Sequence, residues 1–408
     1  VPTDPREGDE FFLAVPAKLD DPFPDLAYLR ERHPVFFYRP LNSWFVFPYD
    51  LVHGLLQDPR LSGDRMRGLV DAAPAAARPG VRTVVPYLET WMLMKDGADH
   101  ARVRGHLQKG LTPAVVRRLA GPVRRAADEL LDRGMPRGRL DAAGDYAFLL
   151  PAYVLSDLFG VPPADRPKLI AWSLAFVGFF NVLPITTRTA GDFVRSGAEM
   201  VAYTRDLLAG RRAAGGDDFL AAVGGGLTDD EVAGNVMLLL LAGHLAVRNL
   251  VGNALWLLLT HPGQFARVTA DPGLIPAAVE ETLRFEPPVT LIPRVALEDV
   301  AAGGRTIGRG QLVQLSLAAA NRDPAHFPDP DRFDIGRAAG HHLSFGAGVH
   351  GCFGAALARE IATVALETLI RRAPGLRLDP AGKIEWYRNA ANRGPSVLPV
   401  TWDAAGAG

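Results

Sequence analysis

The chain's single cysteine, Cys352, sits in the segment FGAGVHGCFG, which runs from Phe345 to Gly354. Gly346, Gly348 and Gly351 precede the thiol, and Gly354 follows it. Glycines at this density let the backbone take positive φ angles and pass close to a flat ligand. Their amides can also point at the sulfur, which lowers thiolate basicity and tunes a bound metal. Past the cysteine, residues 355–366 have a helical pattern, so a thiolate here lies near a helix N-terminus, where negative charge is favoured. The chemistry on offer is ligation of a metal by sulfur. A bare cysteine is more simply a small buried hydrophobe beside an ordinary turn, so the full pattern and the rest of the chain decide.

Every fixed position of F-G-x-G-x-H-x-C-x-G is matched. The segment resembles the haem-binding loop of the cytochrome P-450 monooxygenases, and further motifs follow in the order that family has. Glu281-Thr282-Leu283-Arg284 resembles its E-x-x-R helix, in which the two charges share one face. Arg332, in PDPDRFD, stands where the resemblance puts the third member of that structural network. Alone, such a pair is a surface ion pair worth less than about 1 kcal/mol. His100-Ala101-Arg102-Val103-Arg104 resembles the H-x-R-x-R segment whose first and last residues hold haem propionates. Arg294 and His350 match two further haem contacts, and Phe345, Gly346 and Gly354 frame the loop. Two carboxylates at a haem edge need cationic or hydrogen-bonding partners, so these residue types are suited to the task. The cofactor implied is haem b (iron protoporphyrin IX), with Cys352 as its iron ligand.

The same resemblance exposes a departure. The stretch LLLAGHLAVRNLVGN aligns without a gap with the family's A-G-x-E/D-T-T segment. Ala242 and Gly243 match, but Leu245 stands at the acid and Ala246 at the threonine. In the family that acid–alcohol pair delivers protons to dioxygen before its O–O bond breaks, and leucine and alanine can neither donate nor accept a proton. Three readings follow: a substrate hydroxyl or trapped water supplies the proton; the oxidant arrives already activated, as peroxide, nitric oxide or a substrate with a weak N–O bond; or the chemistry has drifted and is sluggish. Arg248 follows His244 by four and is read as pairing with a neighbouring helix, away from the iron. The resemblance places Met92, Phe179, Leu241, Val289, Thr290, Ile292 and Val397 at the substrate pocket, which is largely apolar and suits a hydrophobic or aromatic substrate.

Long, well-terminated elements must hold these groups. Thr228-Asp229-Asp230-Glu231 is a capping box, and His261-Pro262-Gly263 ends the helix it opens. That helix is roughly 50 Å long at the standard rise and apolar nearly all round, so protein must cover it on every side. Its most apolar part, residues 235–260, is long enough for a membrane span, but His244, Arg248, Asn249 and Asn253 lie in its middle. A charge at a bilayer centre costs about 2.5–3.5 kcal/mol, which favours a core helix. Further helices are predicted over 101–111, 113–131, 146–158, 164–180 and 190–212, and short strands over 35–38, 44–46, 305–307, 312–315 and 397–400. Residues 71–80, rich in Ala, Pro and Gly, read as a mobile surface loop.

The predicted class is mainly α with small peripheral sheets, a single domain over residues 1–408. By resemblance it is the helical triangular prism of the cytochrome P-450 fold. Of the 408 residues 48% are hydrophobic, and 44 basic against 45 acidic side chains argue against a nucleic-acid partner. One cysteine allows no internal disulfide, and VPTDPREGDEFF shows no signal-peptide pattern, so a cytoplasmic enzyme is expected. The implied function is oxygen-dependent oxidation of a small specialised metabolite, by monooxygenation or oxidative coupling. The implied partners are a ferredoxin and its reductase, docking beside Cys352 near Arg102, Lys109 and Arg359; the protein is expected to be a monomer. A haem sensor without turnover is the rival class, and it explains the thiolate ligand and large pocket poorly.

Overall fold

In a computed structural model that describes residues 16–66, 69–180, 185–214, 218–338 and 340–403, one helix, Asp229–Thr260, runs through the largest apolar core. Its capping box is complete: the Thr228 hydroxyl accepts from the Glu231 amide at 3.2 Å, and the Glu231 carboxylate accepts from the Thr228 amide at 2.9 Å. Glu231 also pairs with Arg102 on the helix Gly97–Gly110, tying the start of one helix to the side of another. The 32 residues are long and apolar enough to cross a membrane, yet two thirds of the most apolar window is buried in protein. Two of the polar residues in its middle, His244 and Asn253, are tethers. His244 bonds to Ser173 Oγ at 2.7 Å and to the Phe148 carbonyl at 2.6 Å. Asn253 donates to the carbonyls of Glu286 at 2.9 Å and Arg393 at 3.1 Å.

The helices Leu149–Phe159, Arg166–Phe180, Thr187–Ala214, Ile275–Phe285 and Ala355–Arg372 pack against this axis. Thr112 caps Pro113–Asp132, and a π-helical turn, Ala142–Ala147, precedes Leu149–Phe159 where one helix was predicted from residue 146. The largest sheet lies outside the main core, its buried side chains in two smaller apolar clusters. Five strands run in the order Val35–Tyr38, Ser43–Val46, Leu312–Ser316, Leu291–Ala296 and Leu61–Ser62. The single strand predicted over 397–400 is two, Pro395–Val397 and Pro399–Thr401, which pair with different partners.

The segment 71–80 is not a loop throughout. Leu69–Ala72 and Arg78–Leu88 are helical, Ala73 is buried, and Arg78 donates to the carbonyls of Ala73 and Asp71 at 3.1 and 3.0 Å. Pro79 sits in the first helical turn, where its missing N–H costs nothing and its fixed φ suits the helix start. Residues 1–15, which include the VPTDPREGDEFF segment, lie outside the described ones.

Candidate active site

Cys352 and the middle of the long helix open onto one cavity. The helix contributes Ala242, Gly243 and Ala246, small residues that leave room for a flat group against its backbone. Phe345, Cys352 and Gly354 line the cavity from the loop, and Met92, Val289 and Ile292 add apolar wall. The Cys352 sulfur is accessible to the cavity although protein encloses it, and that enclosure pushes the thiol pKa up. The Gly354 amide donating to sulfur, Arg104 and Arg359 oppose the rise.

The loop conformation explains two of its glycines. Gly346 and Gly348 have φ of 69° and 70°, and a Cβ on Gly348 would lie 3.1 Å from Gln57 Cα. The Cys352 amide then donates to the Phe345 carbonyl at 2.7 Å and closes the turn. Gly351 is not at positive φ, and neither is Gly354, whose φ is −93°. A Cβ on Gly354 would meet no protein atom within 4 Å, so the protein's own packing does not demand glycine there. It caps Ala355–Arg372 and faces the cavity, where a flat ligand gains from a missing side chain.

One end of the site gathers two histidines and two arginines, and its positive charge lies on the arginines. His100, 4% exposed, lies 4.3 Å from His350 between ring centroids, and desolvation lowers its pKa to about 4. His350 Nε2 is 3.2 Å from Asp96 Oδ1. Arg104 lies 5.7 Å from the Phe353 ring and has no hydrogen-bond partner among the described residues. Arg294, 2% exposed, donates to the Pro293 carbonyl at 3.0 Å and meets no carboxylate within ion-pair distance among the described residues. Arg65, which belongs to no sequence motif, donates from its guanidinium to the same Pro293 carbonyl at 3.3 Å.

Four residues placed at the pocket by resemblance do not line the cavity. Phe179 stacks on Phe193 at 4.1 Å inside an aromatic cluster, a better use for a large ring than a cavity wall. Leu241 falls off the face that carries Ala242 and Ala246, and Leu239 stands on that face instead. Thr290 gives its hydroxyl to the Ala390 carbonyl, and Val397 is held in register opposite Glu385. Leu245 also lies off the cavity, whereas Ala246 lines it. Arg248 does not pair with a helix: it is 3% exposed, donates to the carbonyls of Pro395 and Ser396 at 3.3 and 3.2 Å, and lies 4.3 Å from the Tyr387 ring.

The structural network has a different third member. Arg284 donates to both Glu281 oxygens, at 2.7 and 2.8 Å, with both residues buried. Arg337, rather than Arg332, brings its guanidinium to Glu281 at 3.2 Å. Arg332 supplies its backbone carbonyl to Arg284 and Arg337, at 3.2 and 2.9 Å, while its side chain turns outward to Asp334. Of the three cations expected beside a ferredoxin, Arg102 is neutralised by Asp99 and Glu231, and Arg359 by Glu280 at 2.6 Å. Lys109 alone of the three has no ion-pair partner among the described residues.

A thiol at a helix N-terminus, small residues on the helix beyond it, a loop glycine that no protein atom crowds, and arginines with no paired carboxylate among the described residues together fit a flat, dianionic, metal-bearing group. Haem b has that shape and charge. Residues 273–373 match the family model described as Cytochrome P-450. The chain is 37% identical to the cytochrome P-450 monooxygenase PikC of Streptomyces venezuelae, over 94% of this chain and 91% of that protein. It is 36% identical to 6-deoxyerythronolide B hydroxylase of Saccharopolyspora erythraea, over 92% and 95% of the two chains. The crystal structure of P450BioI in complex with an acyl-loaded acyl carrier protein superposes with a TM-score of 0.86 at 32% identity, covering 95% of this chain and all of that one. The chain belongs to the cytochrome P-450 family. It is a haem-thiolate oxidoreductase of the monooxygenase type, and haem b is its cofactor.

Proposed function

We propose that this enzyme inserts one oxygen atom from dioxygen into an apolar specialised metabolite, and that the substrate itself, or a water it traps, delivers the proton. The observation that carries the reading is the composition of the distal wall. Every long-helix residue lining the cavity is apolar, Ala246 among them, so none of them can pass a proton. Cys352 is assigned as the iron ligand, with His100, Arg104, Arg294 and His350 at the haem carboxylates. Bound haem supplies dioxygen activation, and the thiolate favours O–O cleavage. This chain's residues hold the thiolate, orient the group, and give the substrate an apolar enclosure. Substrate and dioxygen consume two electrons and two protons, and yield oxygenated substrate and water. A ferredoxin and its reductase are assigned as the electron source. We assign the protein as one cytoplasmic domain acting as a monomer.

Relatives named for hydroxylation of 6-deoxyerythronolide B, and for hydroxylation and epoxidation of mycinamicin IV, support a specialised metabolite. Met92, Val289 and Ile292 support an apolar one. The same distal wall favours one alternative, in which the substrate or a co-reactant such as peroxide brings its own oxidising equivalent and no relay is needed. Candidate pathway metabolites incubated with purified protein distinguish the two. Depletion only in air with a ferredoxin system, with oxygen-18 from dioxygen in the product, supports the first. Depletion without dioxygen or electrons supports the second.

A further inference from the structure

Arg65 lies on a loop that the fold goes to some length to fix. The strand Leu61–Ser62 pairs antiparallel with Leu291–Ala296, Ser62 opposite Val295, which brings the residues after it alongside Pro293 and Arg294. The Asp64 amide donates to Ser62 Oγ at 2.9 Å and the Met66 amide to Asp64 Oδ1 at 3.0 Å, so the turn is tied on both sides of Arg65. Asp96 then binds this loop to the cationic end of the site. Its carboxylate accepts from the Ser62 hydroxyl, from the Gly63 amide at 3.3 Å, and from His350 Nε2 at 3.2 Å. The fit is close: a Cβ on Gly63 would lie 2.3 Å from the Leu93 carbonyl oxygen and 3.4 Å from His350 Cε1.

In that position Arg65 and Arg294 converge on one neutral acceptor, the Pro293 carbonyl, at 3.3 and 3.0 Å. Arg294 is buried and Arg65 half-buried, and two guanidinium groups sharing a carbonyl there repel each other. Desolvation and the Arg294 charge lower the Arg65 pKa to about 10. Nearby acids offset the charge only in part: Asp64 favours the charged form of Arg65 and Asp96 that of Arg294, but neither arginine has an ion pair among the described residues. Buried charges of one sign are tolerated when an opposite charge completes the site. The forked geometry of two arginines is suited to a carboxylate.

We propose that Arg65 is a haem-binding residue, acting with Arg294 on one carboxylate of the cofactor. It is a positioning residue rather than a catalytic one, and the proposal rests on the assignment of Cys352 as iron ligand. A carboxylate carried by the substrate has the same chemistry, and the test separates the two. Arg65→Gln and Arg65→Lys are prepared as holoenzymes without substrate, and transfer of their haem to excess apomyoglobin is timed. Losing a charge-assisted bond to the cofactor accelerates transfer about ten-fold or more in Arg65→Gln, with Arg65→Lys between it and wild type. The midpoint potential of Arg65→Gln falls, because removing a positive charge near the iron favours the ferric state. Reconstitution with haem dimethyl ester, which has no free carboxylate, removes the difference between Arg65→Gln and wild type. Unchanged transfer rates and potential, with thiolate spectra intact, overturn the proposal and leave the Cys352 assignment standing. The same unchanged values together with weakened binding of a long-chain fatty acid assign Arg65 to a substrate carboxylate and overturn it equally. Loss of the thiolate ligand's signature from wild-type holoenzyme strikes the Cys352 assignment instead.

Discussion

Arg337 reaches Glu281 with its guanidinium at 3.2 Å, while Arg332, five residues earlier, reaches the same network only through its backbone carbonyl. The two arginines therefore differ in what their side chains hold. Arg337→Ala removes a charged donor from a buried carboxylate and lowers stability by about 1–3 kcal/mol. Arg332→Ala removes an exposed pair with Asp334 and costs less than about 1 kcal/mol. Thermal midpoints of the two holoenzymes give the comparison; equal losses contradict the geometry.

Restoring the relay tests the distal wall. Ala246 lines the cavity and Leu245 does not, so Ala246→Thr is the informative single change and Leu245→Glu its supplement. For a substrate analogue stripped of its proton-donating group, the natural enzyme turns over poorly. The double variant recovers at least about ten-fold, in line with what a positioned proton donor contributes. No recovery contradicts the proton-delivery reading, and loss of turnover of the natural substrate shows that the apolar surface itself is required.

His244 links stability to pH. Buried between Ser173, the Phe148 carbonyl and Arg248, it has its pKa lowered to about 4, chiefly by desolvation. The unfolded state takes up the proton first, so the contribution is whole above about pH 6.5 and is lost as pH falls toward 4. The loss is on the order of 3 kcal/mol. His244→Gln cannot titrate there, so its thermal midpoint falls less between pH 7 and pH 4.5 than that of wild type. Parallel pH profiles contradict the assignment.

Arg248 is a buried cation held by two carbonyls and an aromatic face, with Nε and Nη1 unbonded. A lone buried charge costs several kcal/mol to desolvate, which offsets the two carbonyl bonds it makes. Arg248→Met therefore leaves the thermal midpoint unchanged or raises it, and a drop equivalent to more than about 2 kcal/mol contradicts this account.

The parts legible in the sequence were those whose signal is local. The capping box at Thr228 and Glu231, the proline stop after His261, and the glycine pattern around Cys352 each define an element from a few adjacent residues. What escaped depends on partners far along the chain. Arg65 has no local motif, and it meets Arg294 only because Leu61–Ser62 pairs with Leu291–Ala296. Arg332 stood at the right place in the pattern, but the backbone there turns its carbonyl inward, and Arg337 in the same meander takes the ionic role. Phe179 and Leu241 are apolar residues on helices, and composition alone cannot say whether such a face meets a cavity or another ring.

The central claim is that Cys352 ligates the iron, and the reduced carbon monoxide complex tests it most directly. Wild-type holoenzyme gives the red-shifted absorption of a thiolate-bound haem, and Cys352→Ser and Cys352→His lose it while the distal variant Ala246→Thr keeps it. An unchanged spectrum in Cys352→Ser contradicts the account.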